Sequence, residues 1–120
     1  MSTKGYEQAL KKIRAICLAL PEAVEVEAWG HPTFRAGKKM FAAFGDEYGE
    51  LAIGLKVGFD RQDELLNDDC FFPTPYAAHQ GWVSLRINNK TNWTEVRELA
   101  REAYRQVALK RMLNALDGKS

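Results

Sequence analysis

The chain has 120 residues, 17 of them basic and 16 acidic, for a formal net charge of +1. That length fits one domain over residues 1–120 and can bury a core without disulfide staples. A hydrophobic share of 46% excludes a disordered chain, and near-neutrality excludes the broad basic excess of a protein held to nucleic acid by phosphate contacts alone.

No apolar run approaches the roughly 20 residues of a membrane helix. Met1–Lys12 is polar and periodic, without the apolar block of a signal peptide, so a cytoplasmic protein is expected.

A first helix is predicted over Thr3–Ala19. Tyr6, Ala9, Leu10, Ile13, Ile16, Cys17 and Leu20 make one apolar stripe, and Pro21 ends it. Strands follow over Val24–Trp29, Thr33–Ala36, Lys39–Phe44 and Glu50–Val57. Turns at Gly30–His31–Pro32, at Gly37–Lys38 and at 45–49 separate them. Such short connections favour antiparallel neighbours. Asp60 is the expected N-cap of a short helix to about Asn67, and Cys70–Gln80, with Pro73 and Pro75, reads as an irregular loop. Gly81–Ile87 returns as a strand, and Asn92 with Glu95 opens the last helix as a capping pair.

That helix carries two stripes. Val96, Leu99, Ala100, Ala103, Tyr104 and Val107 share one face, whereas Leu109, Met112, Leu113 and Leu116 lie nearly opposite. One straight helix cannot bury both on the same layer. Either it breaks near Leu109 and Lys110, or its end packs elsewhere. The resulting order is α-β-β-β-β-α-β-α, an α+β fold of two layers with helices on one face of an antiparallel sheet.

Several pieces together resemble the MmcQ/YjbR family, often labelled DNA-binding. They are Trp29-Gly30-His31-Pro32-Thr33-Phe34-Arg35, Gly37-Lys38-Lys39-Met40-Phe41, Leu55-Lys56, Pro75-Tyr76, Gly81-Trp82-Val83 and Ala103-Tyr104-Arg105. The resemblance spans roughly Ile13 to Arg111. It implies a frataxin-like (CyaY-like) arrangement, and its DNA label rests on likeness to a double-wing motif. It brings no catalytic residues. Frataxins bind iron through an acidic helix and edge, whereas Glu22, Glu25 and Glu27 here are few and interleaved with apolar residues.

Two-residue alternation sorts the strands into faces. With Leu51, Ile53, Leu55 and Val57 under the helices, Ala52, Gly54 and Lys56 point away. With Val83, Leu85 and Ile87 inward, Trp82, Ser84 and Arg86 point away. Val24, Val26 and Ala28 inward would put Glu25, Glu27 and Trp29 outward, and Phe34 inward would put Thr33 and Arg35 outward. The open face would then join Trp29 and Trp82 to Arg35, Lys56 and Arg86 over a shallow floor. Such a face suits a base, a single strand or a small anion. Equally, the Pro73–Gln80 loop or a second subunit could cover it.

Arg35, Lys38 and Lys39 crowd a hairpin that could act as a wing on a phosphate backbone or be plain solvated surface. Arg97, Arg101 and Arg105 alternate with Glu95, Glu98 and Glu102, the pattern of a salt-bridged helix face. His31 is expected to hold a turn, and His79 is isolated. Cys17 and Cys70 form no CxxC pair, and burial is expected for both. The adjacent acids Asp46–Glu47 and Asp68–Asp69 read as turn residues.

Neither metal-ligand spacing nor a P-loop, GxGxxG, HExxH or GxSxG motif is present. The expectation is a non-enzymatic binding protein without a cofactor, monomeric or homodimeric. Its partner would be DNA at the basic hairpin and sheet rim. The alternative is a small anionic or aromatic ligand, or a protein, at the tryptophan face, with His31 among the candidate contacts.

Overall fold

The computed structural model describes residues 5–46 and 49–118. In chain order the elements are α1 (Tyr6–Cys17), β1 (Ala23–Ala28), β2 (His31–Ala36), β3 (Lys39–Gly45), β4 (Ala52–Lys56), α2 (Phe59–Leu65), β5 (Phe71–Pro73), a 3-10 turn (Ala78–Gln80), β6 (Trp82–Arg86), α3 (Trp93–Val107) and α4 (Lys110–Leu116). The six strands form one antiparallel sheet in the order β1-β2-β3-β4-β6-β5.

The core lies between the sheet and the helices. Phe34, Phe41, Phe44, Ile53, Leu55 and Val83 from the sheet meet Leu10, Ile13 and Cys17 of α1 and Leu99, Ala100, Ala103 and Tyr104 of α3. Fully burying one large apolar side chain contributes about 1.5–3 kcal/mol, so this layer carries the stability. Register slips between Phe34 and Arg35 against β3, leaving Phe41 without a partner across the ladder. Such a bulge lets two consecutive residues face inward. Phe41 and Ala42 are both buried, and the Phe41 ring stands edge-on to Tyr104 at 5.6 Å between centroids. The Tyr104 hydroxyl donates to the Pro21 carbonyl at 2.7 Å, tying α3 to the approach to β1.

The alternation predicted for β4 and β6 holds. Leu51, Ile53, Leu55, Val57, Val83, Leu85 and Ile87 are all buried, and Trp82 and Arg86 lie on the other face. The long helix also breaks where its two stripes diverge. Ala108 and Leu109 are both extended (ψ 146° and 159°), and α4 restarts at Lys110. Met112 is buried at the Gly37 hairpin, where a methyl on Gly37 would stand 3.4 Å from its Cε. Leu109 and Met112 of the second stripe therefore meet the β2–β3 tip, a different partner from that of the first stripe, while Leu116 lies beside Ile16 and Leu20 at the end of α1.

Other expectations need correction. On β1 the faces are exchanged. Val24 pairs with Arg35 and Val26 with Thr33 on the open side, and the two valines are 48% and 39% exposed. Glu25 pairs with Phe34 on the helix side and meets Arg14 of α1 at 2.7 Å. Helix α3 covers β3 and β4, not this edge strand, so apolar alternation in β1 carries no burial signal. The first turn is Trp29–Gly30, not Gly30–Pro32: both have positive φ (52° and 79°), and Ala28 pairs with His31, the geometry of a type I′ hairpin.

The Cys70–Gln80 stretch holds strand β5, whose Phe71 pairs with Leu85, and a 3-10 turn. Gly58, not Asp60, caps α2, and α1 ends at Cys17 with Leu18 as its cap. Cys70 is exposed, with its thiol held above the ordinary range by a hydrogen bond to Asp68. Cys17 is buried, and burial pushes its pKa up to about 12. The expected helix start at Thr3 and the Glu47 half of the first acid pair lie outside the described residues.

Candidate functional site

The sheet face away from the helices is concave. Its floor is made of small residues on neighbouring strands: Ala43 pairs with Gly54, and Gly45 with Ala52. Two rings stand on the two glycines. A methyl on Gly54 would come 3.5 Å from Cε3 of Trp82, and a methyl on Gly45 would come 2.9 Å from Nδ1 of His31. Only glycine leaves room for the imidazole there. Between these rings lies a cleft of about 200 Å³, lined also by Trp29, Phe72, Pro75 and Glu50.

The Trp82 wall is fixed from behind. Trp82 is only 7% exposed, and Thr74, Pro75 and Ala77 line the same cleft beside it. That connection is held at three points. Thr74 and Ser84 share a hydroxyl–hydroxyl bond of 2.9 Å, and the Thr74 carbonyl accepts from the Ala77 and Ala78 N–H groups. The buried Gln62 of α2 donates through Nε2 to the Ala78 carbonyl at 2.7 Å and the Trp82 carbonyl at 2.8 Å. A buried amide making both bonds costs little, whereas losing either carbonyl partner would leave it unsatisfied.

The rims differ from this wall. Trp29 is 88% exposed at φ 52°, and Tyr76, between two lining residues, is 95% exposed at φ 64°. Bulky side chains rarely occupy this left-handed region, at a cost of order 1 kcal/mol or more. Both strained aromatics flank one cleft.

The predicted site residues fall into three groups. Trp29, His31 and Trp82 come together around the cleft. Arg86 reaches its edge but is engaged by its own chain. Its Nε donates to Glu50 Oε1 at 3.0 Å, its Nη1 to the Asp69 carbonyl at 2.6 Å, and its guanidinium lies 4.7 Å from the Phe72 ring centroid. It therefore clamps β6 to the segments before β4 and β5.

Lys56 pairs with Trp82 across the strands, and Arg35 lies between Val24 and Met40, its Nε buried without a hydrogen-bond partner. Lys38 and Lys39 sit at the β2–β3 tip, exposed and without an ion pair among the described residues. These four cations do not line the cleft. On α3 the expected lacing between its own arginines and glutamates does not form among the described residues, and the pairs that exist reach outside the helix. Arg105 pairs with Asp117 and Glu102 with Arg61, while Arg97 and Arg101 have no ion pair among the described residues.

Sequence reasoning missed Gln62, Thr74 and Gly45. Gly45 carried a signal, since a glycine ending a strand marks a close approach. Gln62 carried none, because its partners are carbonyls 16 and 20 residues away.

The lining polar groups are mostly committed: Thr33 donates to the Val26 carbonyl, Thr74 and Ser84 bond each other, and Glu50 holds Arg86. Among the described residues no three His, Cys, Asp or Glu side chains group as metal ligands, and no helix is long and apolar enough to cross a membrane. What the arrangement offers chemically is an apolar slot walled by aromatic rings.

The fold recurs in solved structures. A Deinococcus radiodurans protein with a DUF419 domain superposes with a TM-score of 0.73 at 22% identity, covering 92% of this chain and 88% of that one. A Pseudomonas syringae protein gives a TM-score of 0.66 at 15% identity over 84% of this chain and 97% of that one. No curated protein matches the sequence. The family model described as YjbR matches residues 18–106, which takes in the sheet, both walls of the cleft and nearly all of α3, and the chain belongs to the YjbR family.

Proposed function

We propose that this protein is a non-enzymatic binding module that receives one planar, largely apolar group in the cleft of its open sheet face. The carrying observation is the Trp82–His31 slot over the Ala43–Gly54 and Gly45–Ala52 floor, with no lysine or arginine in its lining. Ligand sites are typically concave and apolar with a few placed polar groups, and this slot has the size of a single ring system rather than of a large cofactor. Its hydroxyls and carboxylate are already bonded, which favours holding a ligand over transforming it.

The layering fits the frataxin-like class that the resemblance implies. Iron is not part of this reading, because Glu22 and Glu25 are held by Arg111 and Arg14.

Backbone amide shifts in NMR titrations test the reading, with benzyl alcohol and adenosine as probes. Saturable shifts at Gly45 and Gly54 are expected, and Ala52→Leu, which raises the floor, should remove them while the protein stays folded. Shifts scattered away from the cleft, or unaffected by Ala52→Leu, would refute it.

One observation favours DNA as a second reading: Lys38 and Lys39 project from the β2–β3 tip without an ion pair among the described residues. Phosphate contacts there predict duplex binding that weakens steeply as salt rises, measured by fluorescence anisotropy. No binding at low salt removes this reading and leaves the cleft untouched.

A further inference from the structure

We infer that the open face is a self-association surface on which Trp29 of one copy enters the cleft of a second. The inference rests on the reading of the cleft as a receptor for one ring, and it names the occupant. Three observations carry it.

The first is the placement of Trp29. A type I′ turn needs positive φ at both central residues and favours Asn-Gly, yet the first position here holds a bulky indole, 88% exposed at φ 52°. An observed backbone outlier at an exposed aromatic points to function at that position.

Knob and hole also lie on the same face. Trp29 rims the cleft while its indole stays 88% exposed, so a two-fold axis beside the rim would send each indole into the opposite slot. That is the self-complementarity an isologous interface requires.

Thirdly, the surroundings suit a like copy. Val24 and Val26 continue the apolar surface from Trp29 along β1, Glu50 and Arg86 neutralise each other, and a net charge of +1 leaves little repulsion between copies. An ordinary interface takes about 800 Å² from each partner, about a ninth of the 7354 Å² this chain exposes. One face of a two-layer molecule supplies that.

Sedimentation velocity and light scattering on the full chain, from micromolar to millimolar concentration, test the inference. The expected mass is twice 13.6 kDa at the upper end. Trp29→Asn suits the turn better, so folding should be kept or improved, and it removes both knobs. It should raise the dissociation constant more than about 100-fold, as loss of two aromatic anchors does. Ala52→Leu keeps the knob and blocks the hole, with the same result.

Mixing these two variants restores one knob and one open hole, so a heterodimer should form that is weaker than wild type and tighter than either variant alone. A wild-type chain that stays monomeric throughout overturns the inference. So does a dimer indifferent to Trp29→Asn, or a mixture that fails to associate. Benzyl alcohol shifts at Gly45 and Gly54 would survive each of those outcomes, which separates failure of self-association from failure of the ligand cleft.

Discussion

The two faces of the sheet are built from alternate residues of the same strands and do opposite work. Toward α1 and α3 stand Phe34, Phe44, Ile53, Leu55 and Val83, all essentially without solvent contact. One residue along each strand, on the other side, stand Thr33, Ala43, Gly45, Ala52, Gly54 and Ser84. The contrast lies in volume. Large side chains interdigitate where helices cover the sheet, and small ones leave a hollow where none does. Removing volume should therefore be costly on one side and cheap on the other. Phe41→Ala is expected to cost about 3–5 kcal/mol, read as a fall in denaturant midpoint, while Ala52→Gly costs no more than about 1 kcal/mol, chiefly in backbone entropy. Equal losses would erase the distinction between a structural and a receptive face.

Adding volume sharpens the same contrast. Gly45→Ala places a methyl 2.9 Å from the His31 ring, which must move. The ring borders the cleft rather than the core, so stability should change by no more than about 1 kcal/mol, the strand preference for alanine offsetting the displacement. Ring-probe binding, in contrast, should weaken clearly. Chemical denaturation alongside the NMR titration separates the two effects. A large stability loss with unchanged binding would mean that His31 supports the fold and not the slot.

How legible each face was in the sequence follows from what covers it. Strands β4 and β6 each have a strand on both sides and a helix above, β4 beneath α3 and β6 against α2, so burial imposed strict alternation and both faces could be read at once. Edge strand β1 is outside that cover. Its Val24 and Val26 alternate with Glu25 and Glu27 for reasons of strand preference, and the inferred faces came out exchanged. The break at Ala108–Leu109 was readable because two apolar stripes on opposite sides of one helix are a geometric contradiction. Strand β5 was not, since three residues ending in Pro73, bonded on one side only, look like loop.

Within the site the glycine–alanine floor and the two tryptophans were visible. The engagement of Arg86 by Glu50, 36 residues away, was not. Long-range pairing of charges leaves no local pattern, and here it turned one of the three cations expected on the open face into a structural clamp.

The smallest expected effect concerns the far end of the helical layer. Glu22, at φ 58° just before β1, takes the Arg111 guanidinium of α4 bidentately, at 2.8 and 2.9 Å. Those hydrogen bonds hold its carboxyl below its ordinary value near 4.5. A depressed carboxylate pKa contributes stability that is complete above the unfolded-state value and is lost as pH falls through the folded one. Both groups are well exposed, so the contribution is small and salt-screened. The expected outcome is a slight loosening of α4 on acidification from about pH 5 downward. Hydrogen exchange over Lys110–Leu116 should show it, while Phe41 and its neighbours remain protected. Glu22→Gln should give faster exchange in α4 already at neutral pH and remove most of its acid sensitivity. If α4 and the α3 core instead loosened together, the break at Ala108–Leu109 would not separate two independently docked segments. The C-terminal helix would then belong to the same cooperative layer as α3.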